Sequence, residues 1–289
     1  MKKQEGCLTL KINKMLYTIV NKIKKNGIKG SIKIVCKKVR NKLGLRKNTV
    51  IKNYKIIKKA VCGKNGLEIG GPSAVFNKDN YIPIYHQIKS LDGVNFSNET
   101  VWTGRVKTEN GFYVNGKLIC NGVGGAGGHL YISDAVDLSA VPNNAYNFVL
   151  SSNNIEHIAN PMKALEKWLL KLKPNGVILI IAPRKESNFD HNRNVTPFSH
   201  ILEDYQKDIG EDDLTHLDEI LLLHDLSMDA PAGTPEQFKK RSLANLENRC
   251  LHQHVFDMNL LESMFNYFNI KILLKEQRHI DYTIMGRKP

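Results

Sequence analysis

Hydrophobic residues recur at two spacings along the 289-residue chain. Leu8, Ile12, Met15, Ile19 and Ile23 fall at helical spacing over residues 8–23, and Ile32, Val35, Val39 and Leu43 repeat it over 31–43, with Gly44 as a terminator. Lysines fill the remaining faces. A short helix over Asn53–Ala60 leads into an apolar strand at Leu67–Ile69, which carries one acid, Glu68, and breaks at Gly70-Gly71-Pro72-Ser73. A second strand is expected over Ile82–Tyr85 and the stretch to Asp92, and only a short or irregular helix fits between Pro72 and Pro83. Phe112–Val114 and Lys117–Ile119 flank Asn115-Gly116, the pattern of a tight β-hairpin, and residues 122–128 form a glycine-rich connector.

Beyond the connector the spacing turns to alternating strands and helices. His129–Ala135 reads as a strand ending in an acid, and Tyr146–Leu150 as a strand with a polar exit over 151–157. Pro161–Lys173 reads as a helix, Pro174-Asn175-Gly176 as a turn and Val177–Ala182 as a fully apolar strand in the middle of a parallel sheet. The pattern closes with a helix over Asp257–Phe268, N-capped by Asp257, and strands at Ile270–Leu274 and His279–Met285. This order predicts a doubly wound α/β sheet. About seventy residues, 184–256, intervene after the fifth strand, too many for a simple connection, and lie at the carboxyl edge where such sheets bind ligands.

Charge divides the chain. The net charge is +14, yet residues 1–60 hold 19 Lys or Arg against one acid, Glu5, while the remainder holds 23 basic and 27 acidic residues. The expected domains are a basic amphipathic arm over 1–60 and an α/β body over 61–289, with 184–256 as a lid or substrate insertion. The arm suits either an anionic membrane surface, through residues 1–45, or packing on the body. Nucleic acid is the weaker partner, because Tyr17 and Tyr54 are the only aromatics among the lysines. Five dispersed cysteines without a C-x-x-C pair fit a reducing compartment, and no apolar run reaches a membrane span. The expected location is cytoplasmic, with peripheral contact at the inner membrane surface as an extension of the same reading.

The glycine loop lacks the G-x-G-x-x-G of a dinucleotide fold and the Lys-Ser or Lys-Thr pair of a phosphate loop. Gly66-Leu67-Glu68-Ile69-Gly70-Gly71 resembles instead the first motif of class I S-adenosylmethionine-dependent methyltransferases. Residues 146–184 resemble the fourth strand, helix and fifth strand of the type 11 family, through Glu156-His157, Asn160-Pro161 and Leu172-Lys173-Pro174-Asn175-Gly176. Asn175 departs from the usual glycine, which a turn tolerates. Asp134-Ala135 matches the acid-plus-small pair found at the adenine. The resemblance implies a Rossmann-like seven-stranded sheet and S-adenosylmethionine as cofactor. It implies Glu68, Gly70 and Gly71 at the methionine end, Asp92 at the ribose, Asp134 and Ala135 at the adenine, and a site closed by Asn153, Glu156 and His157.

Residues 189–205 and 248–256 further resemble a subfamily found with bacterial surface-polysaccharide genes, which implies a sugar or glycan acceptor, possible as a lipid-linked form. Nucleic-acid methylation through the arm and a non-catalytic cofactor-binding module are the alternatives. His191, soon after strand five, is the expected base for a hydroxyl acceptor. Arg193 is a candidate for holding an acidic sugar or phosphate. His252-x-His254 could offer two metal ligands, with a carboxylate or His191 completing a set, but there is no H-E-x-x-H, and hydrogen-bonded or surface histidines account for most of the set; no metal is assigned.

Overall fold

Alternating buried residues build the central strands and give each of them two cores. The computed structural model describes residues 49–97, 99–100, 104–108, 112–114, 117–120 and 128–289. The helices expected over 8–23 and 31–43, the Asn115-Gly116 turn and most of the 122–128 connector lie outside the described residues. One compact unit spans Val50–Pro289. It starts ahead of the boundary expected at residue 61, because Ile51, Ile57 and Val61 are buried in its core. Ile57 and Val61 belong to α1 (Tyr54–Val61), the short helix expected before the first strand.

Strands β1 (Asn65–Ile69), β2 (Ser90–Asn95), β7 (Leu130–Ile132), β8 (Tyr146–Ser152) and β9 (Leu172–Pro183) run parallel. Strands β10 (Lys271–Gln277) and β11 (Asp281–Arg287) complete the sheet, β11 lying antiparallel to both β9 and β10. The order is β10-β11-β9-β8-β1-β2-β7, a doubly wound Rossmann-like sheet of seven strands. Between β2 and β7 the chain forms an antiparallel four-stranded sheet, β3 (Glu99–Thr100), β4 (Gly104–Thr108), β5 (Phe112–Val114) and β6 (Lys117–Cys120), in which β5 and β6 are the expected hairpin pair.

Val149, Ile178 and Ile180 pack on one face of the sheet with Trp168 of α2 (Pro161–Lys171), and with Leu261 and Phe265 of α7 (Met258–Tyr267). Phe148, Leu150, Leu179 and Ile181 pack on the other face with α1. Each fully buried side chain of this kind contributes about 1.5–3 kcal/mol. Both helices are capped as their sequences suggest: Asn160 accepts from the Lys163 amide, and Asp257 from the Leu260 amide. Among the described residues no helix is long and apolar enough to cross a membrane.

Two strand expectations need correction. Ile82–Tyr85 is not extended; Ile82, Ile84 and Tyr85 are buried in a turn segment, and the second strand begins at Ser90. Pro174-Asn175-Gly176 is not a separate turn but lies within β9, where pairing with β8 shifts register between Tyr146 and Phe148 and Asn175 has a φ of 61°.

The 184–256 insertion carries α3 (Phe198–Gln206), α4 (Leu217–Leu223), α5 (Pro235–Leu243) and α6 (Asn245–Asn248), around a small core of Ile220, Ala232, Phe238 and Leu251. A capping box at Thr234 and Gln237 starts α5.

Candidate functional site

The chain leaves β1 through Gly70, whose φ of 76° disfavours any side chain, and a Cβ there would lie 2.4 Å from Asn154 Oδ1. A Cβ on Gly71 would meet the Glu68 carboxyl at 2.2 Å. Glu68 thus sits under the loop. Its Oε1 accepts from the Ser73 amide at 3.0 Å and its Oε2 from the Tyr85 hydroxyl at 2.6 Å. Burial pushes its carboxyl up to about 7, against the pull of those hydrogen bonds. The acid shapes the glycine loop from below and does not line the cavity above it.

That cavity, of about 310 Å³, opens at the carboxyl ends of β1, β2, β7 and β8. Gly70 and Ser73 line one wall, Asn95 and Phe96 a second, Asp134 and Ala135 a third, and Asn153, Asn154 and His157 the exit of β8. Asn95 Nδ2 also donates to the Gly71 carbonyl at 2.7 Å, which ties the end of β2 to the loop. Asn153 has a φ of 46°, a conformation that asparagine tolerates better than most residues.

Of the expected site residues, Gly70, Asp134, Ala135, Asn153 and His157 meet in this cavity. Gly71 and Glu68 support it. Glu156 is buried behind it, and its Oε2 has no hydrogen-bond partner among the described residues. Burial pushes this carboxyl to about 7.

Asp92 does not reach the cavity. It lies mid-strand in β2, where its Oδ1 accepts from the His129 amide at 2.7 Å and its Oδ2 from the Tyr146 hydroxyl at 2.6 Å. The strand ends three residues later, so Asn95 holds the position expected of Asp92.

His191 also stands outside the cavity lining. Its Nδ1 is 3.1 Å from the Asn188 carbonyl, and its Nε2 is 3.7 Å from Asp225 in a half-exposed pair. It is not among the side chains that line the cavity. Arg193 is fully buried and committed: it pairs with Asp190 at 3.1 Å and donates to the carbonyls of His252 at 2.7 Å and Gln253 at 3.2 Å. Asp190 in turn holds His252 Nδ1, not His191.

The insertion contributes two further cavity residues, Glu211 and Arg249. Arg249 donates to Asp134 Oδ2 at 2.8 Å, pairs with Glu211 Oε2 at 3.0 Å and stands 5.8 Å over the Phe96 ring. Burial pushes Glu211 up to about 7, and Arg249 opposes that shift. Asp134 also accepts from the Val136 amide at 3.0 Å. His157 Nδ1 lies 3.0 Å from the Leu251 carbonyl, and burial with His252 nearby holds its ring down at about 3, so it is neutral near pH 7.

No protein family matches the chain by sequence, and no curated protein does. Solved structures match at low identity. A SAM-dependent methyltransferase from Aquifex aeolicus is 14% identical over 83% of this chain and 91% of its own, with a TM-score of 0.43. An S-adenosylmethionine-dependent methyltransferase from Mesorhizobium loti is 10% identical over 82% and 96%, with a TM-score of 0.44. An exported-protein candidate from Bordetella parapertussis is 11% identical over 82% of this chain, which spans 65% of that chain, with a TM-score of 0.41.

Proposed function

We propose that the protein transfers a methyl group from S-adenosylmethionine to a hydroxyl of a sugar or glycan. The observation that carries this reading is the cavity that joins the Gly70 loop, Asn95 at the end of β2 and Asp134-Ala135 after β7 along one sheet edge. Its volume lies within the usual range of small-molecule sites. The donor set fits a nucleoside with an amino-acid tail. Asn95 would take the ribose hydroxyls, Asp134 the purine amino group, and the bare backbone at Gly70 the amino-acid end. Bound S-adenosylmethionine would supply an electrophilic sulfonium methyl.

The methyl–sulfur bond breaks as the oxygen–methyl bond forms, S-adenosylhomocysteine leaves and the hydroxyl proton passes to solvent, so the chain's own contribution is positioning the two reactants and shielding the sulfonium from competing water. Asp134, His157, Glu211 and Arg249 are the cavity's titratable side chains among the described residues, and each is engaged by another protein group. Asn153 and Asn154 offer amide groups that can orient a hydroxyl without changing charge. The sugar or glycan acceptor, in lipid-linked form where the basic arm meets anionic membrane, rests on the sequence resemblance of the insertion and on the charge of residues 1–45.

Calorimetry with S-adenosylhomocysteine tests the cofactor reading, with saturable binding at one site expected. Labelled S-adenosylmethionine with extract split into lipid-linked glycan, nucleic-acid and protein fractions tests the acceptor. Label in the glycan fraction is expected; label in nucleic acid alone would replace the acceptor and keep the cofactor.

A further inference from the structure

Four side chains that the proposed transfer does not use converge inside the insertion. His200 and Asp204 lie one turn apart on α3, His216 directly precedes α4, and His254 lies in the segment before α7. One ligand atom from each is within 4.8 Å of the other three. His200 Nε2 stands 3.0 Å from His216 Nε2 and 3.4 Å from Asp204 Oδ2, and His254 Nε2 stands 3.7 Å from the same carboxylate oxygen.

Protein-only hydrogen bonding leaves this group incomplete. The facing His200 and His216 nitrogens can share one proton between them. Asp204 Oδ2 and His254 Nδ1 are buried without a hydrogen-bond partner among the described residues. A buried carboxylate oxygen with no donor is costly unless a cation meets it. His254 Nε2 lies 3.0 Å from the Ala159 carbonyl, the kind of contact that orients a ligating imidazole and fixes its tautomer.

We propose that His200, Asp204, His216 and His254 bind one divalent transition-metal ion of the zinc class. Three imidazoles and one carboxylate are a tetrahedral donor set, and ligand atoms around such an ion stand about 3.3 Å apart, close to the 3.0 Å between His200 and His216 and the 3.4 Å between His200 and Asp204; His254 would ligate through Nδ1, since its Nε2 faces the Ala159 carbonyl. Four protein ligands leave no open position, so the site is structural. The ion ties α3, the start of α4 and the segment before α7 together beside Ala159, at the exit of β8. A second group, Glu156, His157 and His252, also converges. It offers three protein ligands and not four, and His157 belongs to the cavity lining, so it is not part of this proposal.

The test uses the full-length protein without a polyhistidine tag, purified without chelator. Elemental analysis is expected to find one zinc per chain. After chelation, Co²⁺ is expected to restore one equivalent of binding, with the visible absorption of a tetrahedral site. Asp204→Asn and His216→Ala are each expected to weaken Co²⁺ binding about tenfold or more, and His191→Ala, outside the set, to leave it unchanged. Metal-free protein that gives no tetrahedral Co²⁺ spectrum overturns the proposal. So does an equivalent of metal that persists in both ligand variants. Should a variant fail to fold by circular dichroism, the wild-type stoichiometry and Co²⁺ spectrum decide alone.

Discussion

Arg249 and Asp134, 115 residues apart, are joined by a 2.8 Å hydrogen bond across the cavity mouth. Arg249 also meets Glu211, so one guanidinium links the carboxylate after β7 to a buried acid of the insertion. Arg249→Ala is therefore expected to cost about 1.5–3 kcal/mol of stability, as hydrogen bonds to charged groups do. It should also loosen cofactor binding, because the wall beside Asp134 loses its anchor. Urea denaturation and calorimetry with S-adenosylhomocysteine read the two effects separately.

Gly70→Ala tests the loop. The left-handed backbone alone costs an L-residue roughly 1–2 kcal/mol, and the new methyl would press on Asn154. Reduced affinity for S-adenosylhomocysteine in a protein that still folds is the expected result. Unchanged affinity would detach the loop from the cofactor.

For Asp92→Ala the expectation is the reverse. Its carboxylate serves the His129 amide and the Tyr146 hydroxyl, so its loss should lower the urea midpoint by the equivalent of about 1.5–3 kcal/mol. Cofactor affinity should stay near wild type, whereas Asn95→Ala should lower it. A binding defect in Asp92→Ala alone would return the ribose to Asp92.

His191→Ala should leave turnover within a few-fold of wild type, since the ring pairs with Asp225 beside the cavity lining and not in it. Steady-state rates with the acceptor fraction identified by labelling measure this directly. A large loss of turnover with intact cofactor affinity would reinstate the histidine as a base.

Glu156 links folding to pH. Burial raises its folded-state pKa to about 7 from an ordinary value of 4.5, so the folded protein holds the proton more tightly than the unfolded chain. Its contribution is complete below the ordinary value, falls as pH rises between 4.5 and about 7, and is lost above that. Glu156→Gln should therefore flatten the decline of stability across this window, by at most about 1.4 kcal/mol per pH unit. Urea midpoints measured from pH 5 to pH 8 would show the two slopes. Equal slopes would mean that Glu156 ionises freely in the fold.

The strand order was readable because apolar runs alternate with helical stretches and punctuating motifs, and of the motif residues Gly70, Asp134, Ala135, Asn153 and His157 line the cavity at the sheet edge. The second strand was misread because Ile82, Ile84 and Tyr85 are buried yet not extended. Their apolar character serves packing, and Tyr85 serves Glu68. The three-residue displacement placed the expected ribose contact at Asp92, whereas the residue of that strand that lines the cavity is Asn95. The insertion was opaque for another reason. Hydrophobic spacing registers greasy residues, whereas Asp190, Arg193 and His252 are buried through one another's charges. The partners of Arg249 and Glu211 likewise depend on a fold that local spacing does not report.

The Arg193 side chain, reaching from one end of the insertion to the carbonyls of His252 and Gln253 at the other, clasps the entering and departing chain together. From the sheet's side, some sixty residues behave as a short link between β9 and α7. Two of the segment's further ties to the sheet edge run from Arg249 to Asp134 and from Glu211 to the Ala159 amide, so its outer loops can change length without pulling on the strands only where those two side chains keep their places.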